Sequence, residues 1–489
     1  MLYHDMMFCQ RFYPHDAPFV ANVKAELTEQ VTRLMSHPSI VLWDSSNENE
    51  GDPAFFYSTV LTTIARTDPS RPLWPASPSS GFDKGVHTST GLPNGNALVG
   101  RFAGTLKTLD THMPYDFCTA AGVTSTTLNG TKPTYFKSEF GQVSLPAWET
   151  LAGALNGSLG DWGVNSAIMV YRKHAGPDLS KPLTSLFGLT AAELANTSEA
   201  QFKRVIFLSQ LAQTLCIKTY FEELRRGSGT FGGLLWQLND VWQASSWGSL
   251  DYGGRWRALH HSFQAVLAPT VVSAWIDGAA ATLRVYGSHH GAAAAGGASE
   301  TNVEINVTDV ATGVAMFHTV VDGIDGKGSA VIAELLTRPL KSLDPRSSVL
   351  LTRLINTTAL PPAPIAASET THLLLSGDVK SVADVAWVSV DANDVTMSVA
   401  STAASDTASA AVTVQNSGSA PLFFALVTTT FLGRFSRNLL TVPPKSARTI
   451  DFLFYAAGSL APTAPVDLAA FQKSLRIDWL NKASAETES

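Results

Sequence analysis

Two glutamates stand where a pair of carboxylates can work together. Glu48 lies in Trp43-Asp44-Ser45-Ser46-Asn47-Glu48-Asn49-Glu50, just past the short apolar run Ile40-Val41-Leu42-Trp43. Glu139 lies in Ser138-Glu139-Phe140-Gly141, at the end of the strand-like Tyr135-Phe136-Lys137. One carboxyl group that protonates a leaving oxygen, with a second that attacks the neighbouring anomeric carbon, is what a glycosidase needs. The separation of the two decides between retention and inversion. Most Asp and Glu side chains are solvated surface charges. The pair therefore gains meaning only if the fold brings both residues to one mouth.

The elements around them predict such a mouth. Up to about residue 265, strand-like and helix-like stretches alternate, the pattern of an α/β fold with parallel strands. Asp16-Ala17-Pro18 signals a helix start, and Phe19, Val23, Leu27, Val31 and Leu34 then recur every three or four residues. His37-Pro38 ends that helix. The run ending at Trp43 reads as a strand buried on both faces. A helix over 55–66 follows, then a strand and turn through Pro72-Leu73-Trp74-Pro75 and Ser77-Pro78. Further strands are expected before Asp110, Glu139 and Trp236. A long helix over 199–226 turns Phe202, Ile206, Leu211, Leu215 and Leu224 inward. No GxGxxG follows a strand, which favours a TIM-type barrel over a Rossmann sheet. In a barrel, residues just past the strand carboxyl ends line the active site.

Beyond about residue 266 the texture becomes β-rich. Runs over 270–277, 282–286, 302–307, 348–355, 383–390, 422–428 and 449–455 are punctuated by Gly, Pro, Asn and Asp, as in Ig-like sandwiches. The 291–299 stretch reads as a small-residue hairpin loop. The predicted architecture is α/β plus all-β. A barrel domain over 1–265 is followed by Ig-like β-sandwiches over 266–379 and 380–489.

Several segments, in the same order, resemble one family. His37-Pro38-Ser39-Ile40-Val41-Leu42-Trp43 followed by Asn47-Glu48 is similar to the acid/base motif of glycoside hydrolase family 2, with Asn49-Glu50 nearest its β-mannosidase branch. Ser138-Glu139-Phe140-Gly141 with Pro146 resembles the family's nucleophile strand. Trp236-Gln237-Leu238-Asn239-Asp240-Val241-Trp242-Gln243, running on through Ser246-Trp247 and Tyr252-Gly253-Gly254-Arg255-Trp256, is similar to the eighth barrel strand and following loop. Asp68-Pro69-Ser70-Arg71-Pro72, Ser77-Pro78-Ser79 and Asp110-Thr111-His112 fall in register. The resemblance is strong over 1–262 and weaker beyond, where Gly433-Arg434-Phe435-Ser436 matches best.

The resemblance implies a retaining hydrolase that removes terminal non-reducing β-D-mannose from β-D-mannosides and N-glycan-derived oligosaccharides. Glu48 would be the acid/base and Glu139 the nucleophile, about 5–5.5 Å apart. Asn47 would bond the sugar 2-hydroxyl, and Trp236 would form the floor under the sugar. Asp5 would be a hydroxyl ligand, with His112 and Trp242 in the pocket wall. Two departures stand out. Asp44-Ser45-Ser46 replaces the family's usual Ser-Gly-Asn, adding a carboxylate whose effect depends on burial. Met1 aligns within the third barrel strand, which gives a partial TIM (β/α)8 barrel of about six of eight strands. The other readings are an inactive glycan-binding homologue and a different exo-specificity, β-galactosidase or exo-β-glucosaminidase.

Composition narrows the rest. The net charge of −7, with no Lys/Arg block, argues against nucleic acid and anionic membranes as partners. The longest apolar runs are too short to span a bilayer. Three cysteines, Cys9, Cys118 and Cys216, make no disulfide framework, and Cys216 reads as a small buried hydrophobe in a helix. His260-His261 and His289-His290 are adjacent pairs, which on a strand face opposite ways and chelate poorly. No metal or other cofactor is expected. Trp43 reads as core, Trp247 and Trp256 as packing for their loop, and Glu50 as a solvated loop charge or helix N-terminal acid. His112 is balanced between ligand and satisfied structural group. Sequons at Asn129, Asn156, Asn196, Asn306 and Asn356 fit a lysosomal or secretory route, which the resemblance also suggests for a eukaryotic member. The oligomeric state is left open.

Overall fold

The computed structural model describes all residues except 10–11, 49–54, 75–76, 78–109, 116–117, 120–122, 124–135, 156–162, 173–176, 196–197, 228–231, 279, 291–300, 323–329, 357–362, 365–367, 377–378, 402–408, 456–466 and 484–489. Glu50, the 291–299 hairpin and Asn129, Asn156 and Asn196 lie outside the described residues. The chain divides into two compact units. The first holds Met1–Pro114, Pro133–Phe140 and Ser228–Leu235; the second holds Tyr115–Lys132, Gly141–Gly227 and Trp236–Ser489.

In the first unit, β1 (Leu2–Asp5), β2 (Ile40–Asp44) and β3 (Leu73–Trp74) form a parallel sheet in that order. The helix Ala17–Leu34 covers it. Asp16 caps this helix by accepting from the Phe19 N–H at 3.0 Å, and Val23, Leu27 and Val31 are buried at the expected spacing. They share a core with Phe56, Val60, Leu61 and Ile64, carried by a π-helical turn Phe56–Leu61 that runs into the helix Thr62–Thr67. Trp43 is wholly buried in this core. Its indole N–H donates to Asp68 at 2.9 Å, while Arg71 donates to Asp68 at 2.6 Å and to the Ile40, Met35 and His37 carbonyls. Asp68-Pro69-Ser70-Arg71-Pro72 is thus a clamp at the foot of β2. Burial alone would raise the Asp68 pKa, but hydrogen bonds from Ser70, Trp43 and Arg71 outweigh it and hold the carboxyl below its usual range.

A further sheet has the order β4 (Asp110–Tyr115), β5 (Phe136–Gly141), β6 (Gly232–Leu235), with β5 and β6 parallel. Glu139 lies inside β5 rather than at its end, because pairing with β6 continues to Phe140. The stretch before Asp110 lies outside the described residues.

In the second unit the helix Glu199–Arg226 has the predicted limits, with Ser198 as its cap. It is buried on nearly every face, not along one stripe: Ser209, Gln210, Gln213, Thr214, Lys218, Glu222 and Glu223 are covered together with the apolar residues. Cys216 is not a lone buried thiol. It is disulfide-bonded to Cys118, 98 residues away in the chain, and both residues are buried. His260 and His261 lie on the helix Ala258–Val266, not on a strand.

The remainder is antiparallel. One sheet has the order β10 (Ala315–Val321), β9 (Thr301–Asp309), β12 (Ser348–Asn356), β13 (Ala363–Pro364), with β14 (Thr370–Leu373) also on β12. It shares a core with the sheet β11 (Ala330–Pro339), β8 (Thr282–His290), β7 (Thr270–Asp277). A second pair follows: β15 (Val395–Ser401), β16 (Ser409–Asn416), β20 (Ser446–Phe454), β18 (Gly433–Phe435), against β19 (Leu440–Val442), β17 (Leu422–Thr428), β21 (Arg476–Asp478). The expected strand over 383–390 is absent. Val382–Asp384 is a 3-10 turn with a Ser381/Asp384 capping box, and Val382 and Val385 are buried as anchors of a connecting segment. The apolar alternation there marks loop anchoring, with the Trp387 indole bonded to the Val382 carbonyl at 2.8 Å.

Closing a loop of this length with a disulfide restricts the unfolded chain, at about 2–5 kcal/mol of stability. Cys216→Ala should lower the urea midpoint accordingly, and reductant should lower that of the native chain alone. A midpoint indifferent to both would show the bond to be absent.

Candidate active site

Because β1, β2 and β3 are parallel, their carboxyl ends lie together, and the chain past β2 is bonded on both sides. The Asn47 N–H donates to the Phe8 carbonyl at 2.9 Å, and Asn47 bridges Cys9 on one side and Ser77 on the other. The Ser77 N–H donates to Ser46 at 2.9 Å, and the Glu48 N–H donates to Ser77 at 2.7 Å. Glu48 adopts φ +46°, in the left-handed region that non-glycine residues rarely occupy. Ser77 Oγ donates to Ser138 Oγ at 3.1 Å, so the segment holding Glu48 is tied to the residue beside Glu139.

Strand β5 meets β1 and β3 through its side chains. Near its start, Phe136 packs on Tyr3 and Trp74 at ring separations of 6.2 and 6.3 Å; further along, the Glu139 carboxylate acts electrostatically on Asp5, the last residue of β1. Asp5, Asn47 and Glu48 thus lie at or just past the carboxyl ends of β1 and β2, and Glu139 acts on Asp5 from within β5. Glu48 and Glu139 are half-buried. His112 lies in β4. The departure Asp44-Ser45-Ser46 is wholly buried, and the Tyr3 hydroxyl donates to Asp44 at 2.7 Å.

Trp236 and Trp242 belong to the second unit. Trp236 directly follows β6 and leaves 43% of its surface open to solvent. Trp242 is already engaged by Tyr171 edge-on and by the Arg172 guanidinium 5.0 Å from its ring. The loop they share is locked by Arg257, which is wholly buried and was not singled out in the sequence. Arg257 forms ion pairs with Asp240 and with Asp251, the latter at 2.6 Å, and donates to the Ser144 and Ser246 carbonyls at 3.2 Å. Asp251 also accepts from the Ala147 N–H and Thr150 hydroxyl, both at 2.8 Å. Gln213 donates to the Gln142, Trp247 and Gly248 carbonyls. Gly141 makes the closest approach: a Cβ there would collide with the Trp236 carbonyl and the Trp247 ring. The sequence signal for this lock is an arginine at the start of a helix, Arg257-Ala258-Leu259. Among the described residues, no group of three or more His, Cys, Asp or Glu could hold a metal ion.

No family model matches the chain. A β-mannosidase of the goat, Capra hircus, is 32% identical over 299 residues, covering 55% of this chain and 32% of that protein. The β-mannosidase of cattle, Bos taurus, is 31% identical over 320 residues, covering 59% and 34%. The solved β-D-mannosidase of Dictyoglomus thermophilum superposes with a TM-score of 0.67 at 19% identity, covering 99% of this chain and 53% of that one. Over the matched part, the chain is similar to β-mannosidases. It spans about a third of the length of the curated relatives it matches. The Dictyoglomus likeness establishes the α/β plus β-rich fold.

Asp5 is the carboxyl group whose protonation the site alters most clearly. Its pKa is raised from 3.8 to about 7, chiefly by burial and further by the Glu139 carboxylate, against an opposing hydrogen bond from the Met6 backbone. Solvent still reaches Asp5, so its desolvation is partial. A carboxyl group with a raised folded-state pKa binds more protons folded than unfolded. Its contribution to stability is therefore lost as pH climbs from about 3.8 to about 7. Asp5→Asn should flatten the fall in urea midpoint over that interval; an unchanged slope would show that Asp5 is ionised throughout. In the second unit, Asp251→Ala leaves Arg257 buried with half its counter-charge. It should cost about 3–5 kcal/mol by denaturant unfolding, whereas a loss under 1 kcal/mol would mean that solvent reaches the cluster.

Proposed function

We propose that this chain carries the catalytic pair of a retaining β-mannosidase. The observation that supports it most is Glu48. It is held in a left-handed backbone conformation by bonds to Ser77, while Ser77 is joined to Ser138 beside Glu139. Glu139 attacks the anomeric carbon of a terminal non-reducing β-D-mannose as Glu48 protonates the departing glycosidic oxygen. Glu48 then takes a proton from water, which displaces Glu139 and restores the β configuration. Asn47 bonds the sugar 2-hydroxyl and Asp5 a further hydroxyl. The substrates are β-D-mannosides and N-glycan-derived oligosaccharides.

The same reading takes residues 1–265 as a partial TIM barrel of about six strands, and residues 266–379 and 380–489 as Ig-like sandwiches. It also takes the chain along a secretory or lysosomal route. The buried Cys118–Cys216 disulfide supports this, since such bonds persist in oxidising compartments. The sequons agree with it.

Hydrolysis of an aryl β-D-mannoside tests the pair. Glu48→Ala should lower kcat by about 10²–10⁴-fold, as loss of a general acid/base does. Glu139→Ala should abolish turnover. Undiminished activity in Glu139→Ala would overturn the nucleophile assignment, and mannoside binding without turnover by the native chain would mark it as a glycan-binding homologue.

A further inference from the structure

The second unit has a recess of about 680 Å³, solvent included, between the helices Glu199–Arg226 and Ala258–Val266 on one side and the β-rich part on the other. Its polar lining is short of partners. His261 is 7% exposed and its Nδ1 has no hydrogen-bond partner among the described residues; neither has Gln264 Oε1. Arg437 and Glu369 also face the recess and make no hydrogen bond or ion pair among the described residues. Lys218 lies in the wall too, but Glu222 neutralises it at 2.8 Å. Glu222 belongs to an adjoining recess that shares Gln264, Ala265 and Thr370 with the first. Its Oε2 is likewise buried and without a hydrogen bond among the described residues.

The wall is built rather than incidental. Phe424 and Leu439 both line it, and both have left-handed backbones, φ 53° and 57°. Such conformations persist only where the surroundings impose them, and they gather at binding sites. The Asn438 side chain accepts from the Val427 N–H and donates to the Val427 carbonyl, each at 2.8 Å, which fixes the turn presenting Arg437.

We propose that this recess is a second binding site, for a neutral polyhydroxylated ring, a monosaccharide. Two positive groups, Lys218 and Arg437, balance two negative ones, Glu222 and Glu369, so an ion has no net charge to answer. Gln264 Oε1 and Glu369 need donors, and Arg437 needs an acceptor. A hydroxyl supplies both, and a buried acceptor left unmet is costly. Leu215, Phe424, Leu439 and Leu440 give the apolar surface on which the C–H face of a pyranose packs. The site stands independently of the strand-end glutamates and of the reaction assigned to them.

Hydrogen exchange on the full chain with millimolar D-mannose, and separately D-glucose, tests it. Protection is expected in the segments 369–371 and 437–440 with at least one of the sugars. It should weaken at least tenfold in apparent affinity in Arg437→Ala and Gln264→Leu. Arg437 makes no other hydrogen bond or ion pair among the described residues, so its removal is expected to leave folding intact. The protection should persist in Glu139→Ala, which separates this site from the strand-end pair. Absence of protection there with both sugars, or equal protection in Arg437→Ala, would overturn the proposal and leave a recess that only water fills.

Discussion

Glu48 sits at φ +46°, a conformation that costs a residue with a side chain of order 1–3 kcal/mol. What sustains it is the backbone around it. Asn47 is bonded to Phe8, Ser46 and Glu48 are both bonded to Ser77, and these three segments continue β1, β2 and β3. Swinging Glu48 into an ordinary extended conformation would break bonds worth about 0.5–1.5 kcal/mol each. The backbone conformation at Glu48 is therefore set by strand pairing. That pairing depends in turn on the foot of β2, where Trp43 is pinned by Asp68 and Arg71. Disturbing that clamp would reach the strand ends through the register of the sheet.

The second unit solves a different problem. Its loop after β6 has little regular structure, so its polar backbone must be met by side chains if it is to be buried. Arg257 and the two carboxylates around it do this from one side, and Gln210 and Gln213 from the other: Gln213 meets three carbonyls, and Gln210 meets the Leu145 carbonyl and the Ala258 N–H. This explains why the Glu199–Arg226 helix is covered all round although its sequence is only moderately amphipathic. Its polar residues point inward because the loop backbone needs them. A buried ion cluster of this kind adds little net stability over an apolar core, but removing one member leaves an uncompensated charge.

Where the signal is local, the sequence was legible. The helix Ala17–Leu34 could be read from its Asp16 cap and its apolar period, and most strands from their punctuation. Where the deciding contact is distant, it was not. Cys118 and Cys216 are 98 residues apart, and nothing near either one marks the other. Residues 383–390 alternate as a strand would, yet the side chains anchor a connection whose one β-bridge among the described residues joins Val390 to Lys482. His260 and His261 give the same pair whether on helix or strand. Of the site, the glutamates were visible because short motifs surround them. The Ser77–Ser138 link and the Arg257 lock were not, since both join residues far apart whose types are unremarkable alone.

The departure at Asp44-Ser45-Ser46 shows how burial decides the meaning of a charge. Asp44 adds a carboxylate only four residues from Glu48, but its side chain is turned inward and receives the Tyr3 hydroxyl. Asp5, its partner across the β1–β2 pairing, is the carboxyl group that solvent reaches and that feels Glu139. Two carboxylates close enough to raise one pKa share their protons unequally, and the one that is harder to ionise takes the proton. Partial burial and the Glu139 charge both raise the pKa of Asp5, favouring a proton there. A proton held there removes one negative charge from beside Glu139.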